Sequence, residues 1–290
     1  MRYDDNWQDY KIIATGDGEK LEKWGNVTLL RPDPQAIWHA QKPLKEYKGL
    51  SARYLRSDTG GGRWEYFKPI DEWTVSWKNL TFAVKPMGFK HTGLFPEQAV
   101  NWEIMINLIK NAQKPVRVLN LFAYTGGATV ACAYAGAEVC HVDAAKNMVD
   151  RAKQNARLSG LSDKPVRYIV DDCAKFVARE IKRGKFYDAV ILDPPSYGRG
   201  ANGEVWKLEN DIADFLQLVK GVLTPKPLFV LLNSYTTGLQ PTVLKNLLNS
   251  ALKGFDGSTE AYEVCLPTQE DGIFLPCGAS GLFIGKNDKR

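Results

Sequence analysis

Four places along the chain carry residue types in which binding or transfer chemistry can be done. The sharpest is Asp193-Pro194-Pro195-Ser196-Tyr197, which follows the apolar run Ala189-Val190-Ile191-Leu192. Two prolines fix the backbone and withdraw two amide donors, so this corner presents acceptors, Asp193 and nearby carbonyls. Such a corner suits an amino-bearing substrate, and Tyr197 beside it can stack on a planar ring. Asp143 closes the run His141-Val142-Asp143, 17 residues after Gly126. An acid at that place can accept the hydroxyls of a ribose. Asp171-Asp172 closes another apolar run, from which a carboxylate can take a hydrogen bond from an adenine amino group. Gly126 and Gly127 sit in Phe122-Ala123-Tyr124-Thr125-Gly126-Gly127, where glycines let a turn approach a ligand and the following helix offers free amides. Each acid alone serves equally well as a helix cap. Recurrence at successive run ends is what points to a crevice.

For those corners to converge, each must end a buried strand of one parallel sheet, because open α/β sheets bind ligands at the carboxyl ends of their strands. The chain from Pro96 onward alternates strand and helix patterns as this requires. Strands are expected at 116–122, 138–143, 165–170, 187–193 and 226–233. Helices are expected at 96–112, 127–136, 145–159, 172–184, 207–223 and 240–253, followed by strand-like runs at 259–266 and 279–285. Before residue 95 the composition differs. Six of the eight tryptophans lie there, among short alternating runs separated by Arg31-Pro32-Asp33-Pro34, Gly60-Gly61-Gly62 and Lys78-Asn79. The expectation is two domains: a small antiparallel β-rich unit over 1–95, and a Rossmann-like, doubly wound α/β domain over 96–290.

Composition narrows the class. Of the 290 residues 44% are hydrophobic and 24% charged, which is globular, and no apolar stretch approaches the roughly 18 residues of a membrane span. Met1–Tyr10 lacks the basic start and apolar run of a secretion signal, so a cytoplasmic protein is expected. Cys132, Cys140, Cys173, Cys265 and Cys277 form no CxxC pair, and His39, His91 and His141 are scattered. No disulfide framework or metal site is expected. The net charge of +5 is compatible with a phosphate-bearing partner without demanding one. Lys42, Lys45, Lys48, Arg53, Arg56 and Arg63 are interleaved with Tyr47, Tyr54, Trp64 and Tyr66, a mix that can contact phosphates and stack bases.

Taken in order, Leu119-Asn120-Leu121-Phe122-Ala123-Tyr124-Thr125-Gly126-Gly127, Asp143, Asp172 and Asp193-Pro194-Pro195-Ser196-Tyr197 resemble the successive motifs of class I S-adenosylmethionine-dependent methyltransferases. Within that superfamily the chain is most similar to the ribosomal-RNA cytosine C5 methyltransferase-like group. Phe89-Lys90-His91-Thr92-Gly93-Leu94-Phe95-Pro96-Glu97-Gln98 resembles the segment that in this group precedes the catalytic domain and folds over the cofactor. The resemblance covers about residues 89–286. It implies a seven-stranded sheet whose last strand is antiparallel, with 259–266 and 279–285 as its final hairpin. It also implies S-adenosylmethionine as cofactor, lined by Phe122, Tyr124, Thr125, Gly126, Gly127, Asp143, Ala144, Asp171, Asp172, Cys173 and Asp193. Asp193, Pro194 and Pro195 would lie between sulfonium and acceptor. Asn120 departs from the family, which commonly has an acid there.

Methyl transfer to nitrogen or oxygen needs alignment and the exclusion of water more than an acid/base apparatus. A pyrimidine C5 needs more, a thiolate adding to the neighbouring ring carbon. The family's C5 members carry that thiol just after the fifth strand, where this chain reads Leu231-Leu232-Asn233-Ser234-Tyr235-Thr236-Thr237 without cysteine. If carbon is methylated, Cys277 in Leu275-Pro276-Cys277-Gly278 is the candidate. The expected function is therefore methyl transfer to a base, in ribosomal RNA, at cytosine C5 or at an exocyclic amine. The expected partner is RNA, with no membrane, and a homodimer is compatible. The alternatives are a methyltransferase with a non-RNA acceptor and a nicotinamide oxidoreductase. The latter would share the sheet and the ribose acid, yet Tyr124-Thr125-Gly126-Gly127 is not GxGxxG and Asp-Pro-Pro has no part in hydride transfer.

Overall fold

A computed structural model describes residues 1–57, 61–88, 90–199 and 205–286. Gly60 of the glycine turn and Phe89 of the segment preceding the catalytic domain lie outside the described residues. The chain divides into two compact units, one of Arg2–Val100 with Cys265–Cys277, the other of Asn101–Val264 with the chain from Gly278. Nothing in the composition signalled that residues 265–277 return to the N-terminal unit.

That unit holds strands β1 (Tyr10–Gly16), β2 (Glu19–Trp24), β3 (Val27–Pro32), β4 (Ala52–Arg56), β5 (Gly62–Tyr66), β6 (Trp73–Trp77) and β7 (Leu80–Val84). The first five form one sheet in sequence order, and β6 and β7 form a separate hairpin. The expectation of an antiparallel unit needs one correction, because β3 and β4 run parallel with Leu29 opposite Ala52 and Leu30 opposite Arg53. Parallel neighbours need a crossover of a dozen or more residues, which the chain between Pro32 and Ala52 supplies. Trp24, Trp77, Phe82, Leu29 and Leu30 are fully buried, so the aromatic richness of this unit largely fills its own interior.

From Ala99 onward come α1 (Ala99–Lys110), β8 (Arg117–Leu121), α2 (Gly127–Tyr134), β9 (Glu138–Asp143), α3 (Lys146–Leu158), β10 (Val166–Val170), α4 (Cys173–Lys182), β11 (Ala189–Leu192), β12 (Tyr197–Arg199), β13 (Val205–Lys207), α5 (Leu208–Lys220), β14 (Phe229–Ser234), α6 (Pro241–Ala251), β15 (Gly257–Pro267) and β16 (Phe274–Gly285), which make up the second unit apart from the first residues of α1, the end of β15 and the start of β16. Seven of these strands form one sheet in the order β10-β9-β8-β11-β14-β16-β15. β8, β9, β10, β11 and β14 are parallel, while β16 enters antiparallel beside β14 with Leu231 opposite Leu282. The Rossmann-like seven-stranded sheet with an antiparallel last strand is as expected. Its central strands are apolar on both faces because helices cover both: Val118, Leu119, Val190, Leu192, Val230 and Leu232 are all buried.

Strand order reverses between β8 and β11, the kind of switch point at whose carboxyl end open α/β sheets bind ligands. The short β12–β13 hairpin was not foreseen, since three-residue strands are too short to show a period.

Candidate active site

Leu121, at the end of β8, is followed by a corner with left-handed backbone at two residues that are not glycine, Phe122 (φ 55°) and Tyr124 (φ 49°). Such backbone is uncommon for bulky residues and persists only where the surroundings enforce it. Those surroundings are visible. The Phe122 amide donates to Cys173 Sγ at 3.3 Å, the Ala123 amide to Val142 O at 3.1 Å, and the Tyr124 amide to Asp143 Oδ2 at 2.8 Å. Gly126 caps α2 in the left-handed region at φ 82°.

The two glycines have packing reasons first. A Cβ on Gly126 would lie 2.7 Å from Ala152 Cβ, and one on Gly127 would lie 2.7 Å from the Trp102 ring. They let α3 and α1 approach the corner, and Asn155 of α3 completes it by donating from Nδ2 to Thr125 O at 2.8 Å.

Asp143, half-buried at the end of β9, accepts both the Tyr124 amide and, at 2.9 Å, the Ala145 amide. Its withdrawal from water lifts the carboxyl above the ordinary value, and the two amides counter this in part. Ala144 beside it is exposed. One step along the sheet, Asp171 forms an ion pair with Arg179, and its own amide donates to Asp143 O at 3.1 Å. Asp172 is exposed and caps α4, accepting the Lys175 amide at 2.9 Å. Cys173 is buried, and burial pushes its thiol up. Its part is to hold the Phe122 amide from beneath.

At the fourth corner the Asp193 amide still reaches Leu121 O, at 3.4 Å. Asp193 is half-buried, Pro194 buried, and Pro195, Ser196 and Tyr197 exposed, with Tyr197 at 51%. Tyr197 OH accepts from Arg199 Nε at 2.9 Å, and Thr236 Oγ1 after β14 donates to Ser196 Oγ at 2.6 Å. The strand pairings β9–β8–β11 thus bring Phe122, Tyr124, Gly126, Asp143 and Asp193 to neighbouring strand ends, with Asp171 and Asp172 one strand further out.

Beneath the corner lies a polar chain that sequence reading missed. Asn120 Nδ2 donates to Thr129 Oγ1 at 2.9 Å, and Thr129 Oγ1 meets His141 Nδ1 at 2.9 Å. All three are buried, and burial pulls the His141 imidazole down to about 3, so it is neutral at ordinary pH. Asn120 therefore belongs to this structural chain. The pairing of β8 with β9, which sets Asn120 opposite His141, is the signal that would have found it.

Cys277 belongs to the N-terminal unit, where its thiol faces Leu275 O at 3.4 Å. Burial and the Glu97 carboxylate drive it well above the ordinary thiol range. Among the basic and aromatic residues of that unit, Tyr54 is core and the Trp64 indole is spent on Met87 O at 2.7 Å. Arg53 pairs with Glu65 and covers the Phe67 ring. Tyr47, Tyr66 and Phe67 are exposed, as are Lys42, Lys48, Arg56 and Arg63.

The chemistry of the donor set can be matched to a ligand. Asp171 is neutralised by Arg179, whereas Asp143 and Asp172 spend part of their acceptor capacity on backbone amides. A molecule offering ribose hydroxyls, an adenine amino group and a positive sulfur brings donors and charge to a set of strand-end carboxylates, and the residues present fit S-adenosylmethionine.

Comparison with known proteins agrees. The profile of the S-adenosylmethionine-dependent methyltransferases matches residues 29–242, well over half of the chain. A crystal structure of a SAM-dependent methyltransferase from Agrobacterium tumefaciens superposes with a TM-score of 0.91 at 34% identity, covering 97% of this chain and 91% of that one. A Streptococcus mutans protein described as a SAM-dependent methyltransferase shares the fold, with a TM-score of 0.73 at 16% identity over 95% and 75% of the two chains. The ribosomal RNA large subunit methyltransferase K/L of Syntrophotalea carbinolica is 30% identical over 196 residues, 67% of this chain and 25% of that protein. The chain thus spans about a quarter of the length of that curated relative. The nicotinamide alternative falls with these matches, and no described helix is long and apolar enough to cross a membrane. With its strand-end acids, its Asp-Pro-Pro corner and its β16 inserted antiparallel, the chain belongs to the S-adenosylmethionine-dependent methyltransferase family.

Proposed function

We propose that the protein methylates an exocyclic amine of a base in RNA, with ribosomal RNA as the substrate. The observation that carries this reading is the Asp193-Pro194-Pro195 corner at the end of β11, rich in acceptors and poor in donors. S-adenosylmethionine supplies an electrophilic methyl group on sulfur. An exocyclic amine is a weak nucleophile because its lone pair is shared with the ring. A carboxylate accepting one of its N–H bonds returns electron density to nitrogen and stands ready for the proton released on transfer. Asp193 is the residue for that role, Pro194 and Pro195 hold the corner stiff, and Tyr197 offers an exposed ring against the base. Asp143 and Asp172 accept from the ribose and adenine, and Phe122, Tyr124 and Gly126 shape the turn around the methionine part.

Carbon methylation draws no support from the surroundings of Cys277, which hold its thiol protonated. The ribosomal substrate rests on the names of the curated relatives and on the exposed Tyr47, Tyr66 and Phe67 beside basic residues. Nucleoside mass spectrometry of ribosomal RNA from cells with and without the protein tests the proposal. The expected result is one N-methylated nucleoside that disappears without the protein and is absent in cells carrying Asp193→Ala. A lost C5-methylcytidine, or no change in RNA, overturns it.

A further inference from the structure

The segment that follows β11 has an unusual problem of support. Asp193 makes a long last ladder bond to Leu121 O, and then two prolines offer no amide at all. Beside the Thr236 hydroxyl on Ser196 Oγ, such a segment is held by donors brought to its carbonyls from elsewhere. Among the described residues two such donors come from the hairpin and helix that follow. Trp206, in β13, points its indole Nε1–H at Pro195 O, 2.7 Å away, and the Leu208 amide at the start of α5 donates to Ser196 O at 3.1 Å.

Trp206 also reaches the first corner. Its ring lies 5.5 Å from the Phe122 ring and 5.7 Å from the Phe215 ring, while Phe122 and Phe215 are 5.6 Å apart, so the three close a triangle. Phe122 is one of the two non-glycine residues held at positive φ in the turn after β8. One side chain therefore grips both the corner that carries Asp193 and the turn that follows β8.

We propose that Trp206 is a positioning residue for methyl transfer: through its N–H on Pro195 and its ring on Phe122, it fixes the distance between the acceptor-side corner and the cofactor-side turn. The inference rests on reading the Asp193–Pro195 corner as the acceptor side, but not on RNA being the acceptor. Alignment of donor and acceptor is where this reaction gains most, and a displacement of about 1 Å can cost on the order of a hundredfold in rate.

Trp206→Phe keeps a ring against Phe122 and Phe215 and removes the N–H. The first measurement needs no substrate. Loss of one hydrogen bond is expected to speed exchange of the Leu208 amide about tenfold, with the amides of β8 and β9 unchanged. The second pairs calorimetry with S-adenosylhomocysteine and methyl incorporation from labelled S-adenosylmethionine into total RNA of cells lacking the protein. The variant should bind S-adenosylhomocysteine within about twofold of wild type while turnover falls at least about tenfold at unchanged KM for RNA. Trp206→Ala, which also removes the ring from Phe122, should weaken cofactor binding as well. Unchanged exchange at Leu208, or full turnover in Trp206→Phe, overturns the proposal. A wild-type protein that methylates no RNA removes the RNA reading, and the exchange measurement then decides for or against Trp206 by itself.

Discussion

Glu22 in the N-terminal unit and Asp143 in the catalytic unit are both carboxylates withdrawn from water, and the chain handles them in opposite ways. Glu22 is fully buried and surrounded by donors: Arg31 Nε at 2.6 Å, Arg31 Nη2 at 2.9 Å and Tyr10 OH at 2.7 Å, with Lys20 Nζ at 3.8 Å. Burial alone would raise its pKa, but the Arg31 and Lys20 charges and these hydrogen bonds overcome that and hold it at about 2. Asp143 has two backbone amides and, among the described residues, no ion pair, and it stays above its ordinary value. A carboxylate whose partners are all internal is finished chemistry. One that keeps acceptor capacity and lacks a countercharge is poised for a ligand that brings both.

The sharpest way to break this contrast is Arg31→Met, which strands Glu22 in the interior. Removing one partner of a buried pair costs about 3–5 kcal/mol, and urea unfolding of the variant should show it. A loss below about 1 kcal/mol would mean Glu22 is not held as described. Replacing both residues, Glu22→Leu with Arg31→Met, should cost less than Arg31→Met alone, because no charge is then left unpaired.

Acid separates the two groups next. Glu22 is lowered from 4.5 to about 2 on folding, so its contribution is fully present above pH 4.5 and is lost as pH falls toward 2. At about 1.4 kcal/mol per unit this is roughly 3 kcal/mol of stability. Asp143 is raised, so its sign is reversed: its charge costs stability at neutral pH, and protonation relieves that cost as pH falls. Protonation also spoils its acceptor role, so affinity for S-adenosylhomocysteine should begin to fall at a higher pH than an ordinary aspartate would give. Calorimetry across pH 4 to 8 reads this directly.

Asp143→Asn tests the poised partner alone. A hydrogen bond to a charged group contributes about 1.5–3 kcal/mol, so affinity for S-adenosylhomocysteine should fall about 10- to 100-fold while stability moves by about 1 kcal/mol or less. An equal loss of stability and affinity would make Asp143 a structural acid like Glu22 and remove the contrast.

Why one of these carboxylates was legible in the sequence and the other was not is itself instructive. Asp143 announces itself because it ends an apolar strand at a fixed distance from a glycine turn, and both facts are local. The same holds for the Asp-Pro-Pro corner and for the alternation of buried strands and amphipathic helices, whose period survives in the linear text. Glu22 sits in β2, EKLEKW, where nothing marks one glutamate from the other. Its burial follows from pairing with β3, which sets Lys20 opposite Arg31 and Glu22 opposite Leu29. The Asn120–Thr129–His141 chain and the Trp206 bond to Pro195 are likewise products of register and of side chains meeting across elements. Residue type and spacing revealed what each strand end carries, whereas partnership across the fold had to be seen.

The smallest expected effect falls on the residue that sequence reading singled out for carbon chemistry. Cys277 has the surroundings of the Glu22 region rather than those of Asp143: Glu97 and Asp33 oppose its ionisation, Lys20 favours it, and burial outweighs them all. A thiol kept protonated is a poor nucleophile, because attack on a pyrimidine ring requires the thiolate. Cys277→Ala should therefore leave methyl incorporation into RNA within about twofold of wild type and shift stability by about 1 kcal/mol. Trapping with an RNA that carries 5-fluorocytidine sharpens the test, since attack through carbon leaves a thiol covalently joined to the ring and attack through nitrogen leaves none. A stable adduct in wild type that vanishes in Cys277→Ala would move the reaction from nitrogen to carbon. It would also show that a group held in the paired, structural manner of Glu22 can nonetheless be brought into play by substrate.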